Sequence, residues 1–127
     1  MLVYRIMPDT DLKAKIEDIQ KGNNLKAALI VCAVGSLKKA FLRMSDEEIK
    51  EIEGPLEIIC ANGTVSPDGI HLHLAVSDRT GKVIGGHLKK GSIVNTTVEI
   101  CLLKYKGSFK RVTDPKTGFK ELIIHKN

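Results

Sequence analysis

Beyond Gly54-Pro55 the chain is divided by turn residues into short runs rich in apolar and β-branched side chains, and this punctuation constrains its fold more than any other feature. Leu56–Ala61, Ile70–Val76, Lys82–Leu88, Ile93–Tyr105 and Phe109–Val112 read as strands. They are separated by Asn62-Gly63, Pro67-Asp68-Gly69, Thr80-Gly81 and Lys89-Lys90-Gly91. A further turn, Asp114-Pro115-Lys116-Thr117-Gly118, leads to a last strand, Phe119–His125. Connections this short join antiparallel strands, because a parallel pair needs a crossover of a dozen residues or more.

The first part of the chain supplies the cover for that sheet. Leu2–Met7 reads as an opening or edge strand. Pro8-Asp9-Thr10-Asp11 starts a helix, with Asp9 or Thr10 as cap and Asp11 at the positive end of the dipole. Leu12, Ile16 and Ile19 fall on one helical stripe, and Gly22-Asn23-Asn24 ends it. Ala27–Val34 reads as a buried strand, Gly35-Ser36 as a break and Leu37–Met44 as an amphipathic strand. Ser45-Asp46-Glu47-Glu48 fits either a capped helical turn through about Glu51 or a solvated acidic loop. The expected architecture is one α+β domain over residues 1–127, a central antiparallel sheet covered by one main helix.

At 127 residues the chain is long enough to bury roughly two-thirds of its unfolded surface. It has no apolar run near the roughly 20 residues of a membrane helix and opens with no signal peptide, so a cytoplasmic location is expected. Cys32, Cys60 and Cys101 lie in apolar runs with no metal or redox spacing, and read as buried thiols. Charge is uneven: residues 1–100 hold 13 basic and 13 acidic side chains, while residues 101–127 hold seven basic against two acidic, the whole of the net +5. That segment suits an anion or nucleic-acid surface, or the solvent face of a hairpin whose lysines protect a sheet edge.

Three of the four histidines lie within 17 residues, in Gly69-Ile70-His71-Leu72-His73-Leu74 and Gly85-Gly86-His87-Leu88. On a strand His71 and His73 share a face, opposite Leu72, Leu74 and Val76. His87 follows a hairpin turn and can lie beside them on the return strand. Three imidazoles with an open fourth position are one way of holding a catalytic zinc; spacing alone fits solvent-facing or core-satisfied histidines equally well. Gly85-Gly86 permits a bulge or the close approach of a backbone or ligand. Strand phase puts Leu56, Ile58 and Cys60 on one side of their strand, with Glu57 opposite. It likewise puts Glu99 opposite Val94, Val98, Ile100 and Leu102. Glu57 and Glu99 are candidates for a fourth ligand, an orienting partner or a general base, or for structural pairs with Arg43 or a lysine. His125, in the last strand, reads as ordinary.

In order, Gly35-Ser36-Leu37, Glu57-Ile58-Ile59, Gly63-Thr64-Val65, Gly69-Ile70-His71-Leu72-His73, Ser77-Asp78, Gly81-Lys82-Val83-Ile84-Gly85-Gly86-His87-Leu88, Gly91 and Thr97-Val98-Glu99 resemble the PPC (plants and prokaryotes conserved) domain of the stand-alone prokaryotic type. The resemblance covers almost the whole chain. It implies a homotrimer with β-sheet contacts between subunits, and association with DNA, the role of plant relatives whose AT-hooks precede the domain; no Arg-Gly-Arg-Pro hook is present here. The PPC fold in turn resembles α-acetolactate decarboxylase, whose zinc is held by histidines, and this strengthens His71, His73 and His87 as ligands of zinc or another divalent metal. Two functions follow: a trimeric, DNA-associated or regulatory module, or a divalent-metal-dependent enzyme or small-molecule binder with Arg43 as a carboxylate clamp. A purely structural trimer lined by histidines is a third.

Overall fold

A computed structural model, describing residues 1–127, contains one helix and eight strands. In chain order they are β1 (Leu2–Ile6), α1 (Leu12–Gly22), β2 (Ala28–Arg43), β3 (Ile49–Ser66), β4 (Gly69–Ser77), β5 (Val83–Leu88), β6 (Ile93–Lys104), β7 (Gly107–Thr113) and β8 (Lys120–Lys126). Six strands form one antiparallel sheet in the order β1-β6-β2-β3-β4-β5, as the short connections require. The β5 strand also pairs with the far end of β2, through Leu42↔Leu88 and Arg43↔His87, so β2 to β5 close on themselves. The β7–β8 hairpin is a separate two-stranded sheet.

Period-two alternation builds the core. Leu72, Leu74 and Val76 of β4 and Val94, Val98, Ile100 and Leu102 of β6 all turn inward and are buried. Leu12, Ile16 and Ile19 of α1 meet them as the one stripe that their spacing predicts. Each such side chain contributes about 1.5–3 kcal/mol by leaving water. Asp11, rather than Asp9 or Thr10, is the N-cap: its Oδ1 accepts the Ala14 N–H at 3.0 Å, while Oδ2 accepts from Gly91 N at 2.7 Å and ties the helix start to the β5–β6 connection.

Several local expectations are corrected. Gly35-Ser36 is no break: β2 runs through it, shifting register against β6. Asn62-Gly63 is not a turn either, since β3 continues to Ser66. Gly63 is needed because β4 passes so close that a Cβ there would stand 2.2 Å from the His71 carbonyl oxygen. Ser45–Glu48 forms the tight loop joining β2 to β3, closed by Met44 N–H to the Glu48 carbonyl at 2.8 Å, and no helical turn forms. The cysteines are not buried: Cys32 and Cys60 are exposed and Cys101 is half-buried. Both exposed thiols sit at register shifts, Ile30/Cys32 and Ile58/Cys60, where an extra residue reverses strand phase and turns two successive side chains outward. Val31 with Cys32, and Ile59 with Cys60, are such pairs.

Candidate metal centre

The three histidines meet on the outer face of the β4–β5 hairpin. His73 and His87 are direct cross-strand partners, and His71 lies one side-chain repeat along β4. Their donor nitrogens all fall within 4.8 Å of one another, and the ring centroids are 5.0 to 5.9 Å apart. His71 Nε2 and His73 Nε2 are 3.2 Å apart. Two nitrogens bound tetrahedrally to one zinc at 2.0–2.1 Å would stand roughly 3.3 Å apart, so this pair is close to ligating geometry.

His87 is fixed from both sides, by His73 on β4 and by Arg43 on β2. That double pairing needs Gly86, where a Cβ would be 2.7 Å from the Arg43 carbonyl oxygen; this is the close approach for which the glycine pair allows. His87 Nδ1 is buried and has no hydrogen-bond partner in the protein, an unsatisfied ring nitrogen next to the other two imidazoles. Burial, and after it the Arg43 guanidinium, lowers the His87 imidazole from its ordinary value to about 4. Burial, followed by Arg111 and His73, also lowers His71. Both rings are therefore neutral at pH 7, the form that binds metals. The donor set and its geometry fit an imidazole-preferring ion.

Cavities flank the cluster. One of about 590 Å³ is lined by Arg43, His73, His87, Asn62 and Phe119 among others. Another, of about 490 Å³, is lined by Arg43, His71, His87, Arg111, Lys120 and neighbouring residues. Arg43, His87 and Phe119 border both. Both volumes are in the range that holds small molecules.

The other candidates fall elsewhere. Glu57 pairs in register with Ser36 and Ser77 and is exposed, four β4 positions from the level of His73, or roughly 13 Å along the strand. Glu99 lies opposite Arg5 on β1 and Val34 on β2, and is exposed. Neither belongs to the metal-type group or lines the two cavities. His125 is on β8, outside the cluster.

Arg111 is the residue that sequence reasoning missed. It belongs to the basic C-terminal segment, yet its guanidinium turns toward the sheet. Nη2 donates to Thr64 Oγ1 at 2.6 Å and to His71 Nδ1 at 3.2 Å. Its backbone N–H donates to Asp68 Oδ2 at 2.8 Å, anchoring the hairpin to the β3–β4 turn. The available signal was strand phase: Phe109 and Arg111 share a face of β7, and Phe109 is buried.

Comparison with known proteins places this geometry in context. The family model described as the Plants and Prokaryotes Conserved (PCC) domain matches residues 1–106, ending just before β7. The bifunctional protein GlmU of Synechococcus strain JA-3-3Ab is 44% identical over 126 residues, covering 96% of this chain. The chain spans only 20% of that protein's length. Among solved structures, a hypothetical protein from Salmonella superimposes with a TM-score of 0.95 at 34% identity, covering 99% of this chain and 93% of that one. A metal-containing protein from Archaeoglobus fulgidus does so with a TM-score of 0.80 at 27% identity, covering 96% and 91%.

Proposed function

The chain belongs to the Plants and Prokaryotes Conserved domain family, and from that footing we propose that it is a cytoplasmic homotrimer carrying a divalent-metal centre for a small-molecule ligand. His71, His73 and His87 are the ligands of that centre. The observation that carries this reading is the convergence of three imidazole donors within 4.8 Å beside two small-molecule-sized cavities. Imidazole donors favour zinc, copper, iron or nickel over magnesium and calcium. The metal-containing Archaeoglobus fulgidus protein supports the reading at the level of the shared fold.

When bound, such an ion polarises an oxygen of its ligand or lowers the pKa of a bound water to about 7. The chain's own part is to keep the His71 and His87 imidazoles neutral, to hold the three donor groups converging, to bury His87 Nδ1, and to border the site with Arg43 and Phe119. Trimer formation is supported by the outer face of the sheet, where Val3, Val31, Val34 and Ile59 are 50–69% exposed in the single chain.

Elemental analysis of the purified protein and of His73→Ala, each after zinc addition and gel filtration, tests the centre. The expected result is about one ion per chain in the natural protein and near none in the variant. Absence of metal from both ends the reading.

A second reading, association with DNA, is favoured by the seven basic side chains of residues 101–127. Contacts would be to phosphates, so binding should weaken steeply with salt. A gel-shift that shows no retardation at low salt removes it.

A further inference from the structure

Charge is distributed unevenly around the cavity of about 490 Å³ beside the histidines. Three ion pairs occur in the chain, Lys38–Asp9, Lys39–Glu51 and Lys90–Glu17, and neither Arg43 nor Arg111 takes part in any of them. Both arginines nevertheless line this cavity, from different sheets: Arg43 from the end of β2 and Arg111 from β7. Lys120 of β8 lines it as well. Two carboxylates also belong to the lining, Asp68 and Glu121, so its fixed charges are three positive against two negative. Asp68 Oδ2 accepts the Arg111 backbone N–H, and Glu121 Oε1 accepts from Thr117 Oγ1 at 3.0 Å.

Arg111 Nη2 already donates to Thr64 Oγ1 and His71 Nδ1, and Nη1 to the Lys120 carbonyl at 3.5 Å, but those acceptors are neutral; a guanidinium with no carboxylate partner keeps its charge and its remaining N–H donors for an anion. Arg43, Arg111 and Lys120 outnumber the two carboxylates of the lining by one positive charge. We propose that Arg43 and Arg111 form a clamp for a small anion, a carboxylate- or phosphate-bearing molecule, seated between the β7–β8 hairpin and the histidine cluster. The clamp does not depend on a bound metal. Because Arg111 and Lys120 belong to the hairpin, which lies beyond residues 1–106, the hairpin supplies two of the three positive charges around the ligand.

The test uses full-length protein stripped of metal by chelator, with inorganic phosphate and malonate as separate probes in calorimetry. Saturable binding is expected for at least one probe, which also tells a phosphate source from a carboxylate source. Arg43→Gln and Arg111→Gln should each weaken that binding about tenfold, the loss expected for one charge-assisted contact. Lys116→Gln, in the exposed hairpin turn, should leave it unchanged. Arg111→Lys keeps the charge without the fork and should also bind more weakly. Circular dichroism confirms that each variant is folded; Arg43→Gln tests the clamp independently if the hairpin variant is not. No saturable binding of either probe overturns the proposal. So does equal loss in Lys116→Gln, or a loss confined to only one of the two arginines. Zinc titration of the same samples reads the metal centre separately, so uptake of zinc without anion binding rejects the clamp alone.

Discussion

Arg111 donates from Nη2 to His71 Nδ1 at 3.2 Å, and this donation fixes the proton of the neutral imidazole on Nε2. His71 Nε2–H is then the donor in the 3.2 Å contact with His73 Nε2. A metal held by a histidine ordinarily has the reverse arrangement, with the far nitrogen donating to a carboxylate or carbonyl. The guanidinium therefore holds His71 in the tautomer that a metal at Nε2 must displace, and its charge opposes an incoming cation.

Replacing Arg111 should consequently improve metal binding. Arg111→Gln is expected to tighten zinc affinity by about three- to tenfold, the scale of a partly screened repulsion across one imidazole ring. Competition against a chromophoric chelator measures it. An affinity that is unchanged or weaker would show that Arg111 does not hold His71 against the metal.

Stability of the metal-free protein should depend on pH through His87. Its imidazole is lowered to about 4 in the folded chain, mainly by burial, against 6.5 for the ordinary group. The unfolded chain thus binds more protons between those values, so stability rises with pH across that window. Above pH 6.5 the contribution is constant, and it is lost as pH falls from 6.5 toward 4. Urea midpoints in the presence of chelator should fall over this range, and His87→Asn should flatten the decline.

Gly86→Ala should damage fold and site together. Its Cβ would meet the Arg43 carbonyl oxygen at 2.7 Å and Leu42 Cβ at 3.1 Å, so β5 must move away from β2 and carry His87 with it. Destabilisation of about 1–3 kcal/mol is expected, as for overpacking elsewhere, with a parallel loss of zinc affinity. Gly22→Ala at the end of α1, where nothing lies within 4 Å, is the comparison and should not destabilise. Thermal melts and zinc titrations of the two variants decide this; equal behaviour would contradict the close-approach argument.

Assembly should depend on the outer apolar face. Val34 is 60% exposed in the single chain, so Val34→Lys costs the monomer little but places a charge in any interface formed there. Size-exclusion chromatography with light scattering should show a trimer for the natural protein and a smaller species for the variant. A natural protein that is monomeric at every concentration would exclude the trimer.

What the sequence disclosed followed from periodicity. Strand alternation put His71 and His73 on one face and Leu72 and Leu74 on the other, and the Thr80-Gly81 turn brought His87 back beside them. The helical stripe Leu12, Ile16 and Ile19 was equally legible. Periodicity fails where one residue is inserted, so the bulges near Cys32 and Cys60 reversed the expected burial of those thiols. Glycine was ambiguous for a related reason: at Gly63 it marks a close pass of β4 inside a strand, whereas at Gly81 it marks a turn. Arg111 stayed hidden because its contact with His71 joins residues 40 apart on different sheets, and no local pattern encodes that docking.

The placement of the imidazoles opposite Leu72, Leu74 and Leu88 has an evolutionary consequence. All three histidines lie on the face opposite the buried leucines, so replacing them removes none of the apolar side chains of the core. The core can likewise be repacked without moving a donor atom directly. Selection can therefore change the histidine cluster by a few substitutions while the buried apolar core stays the same.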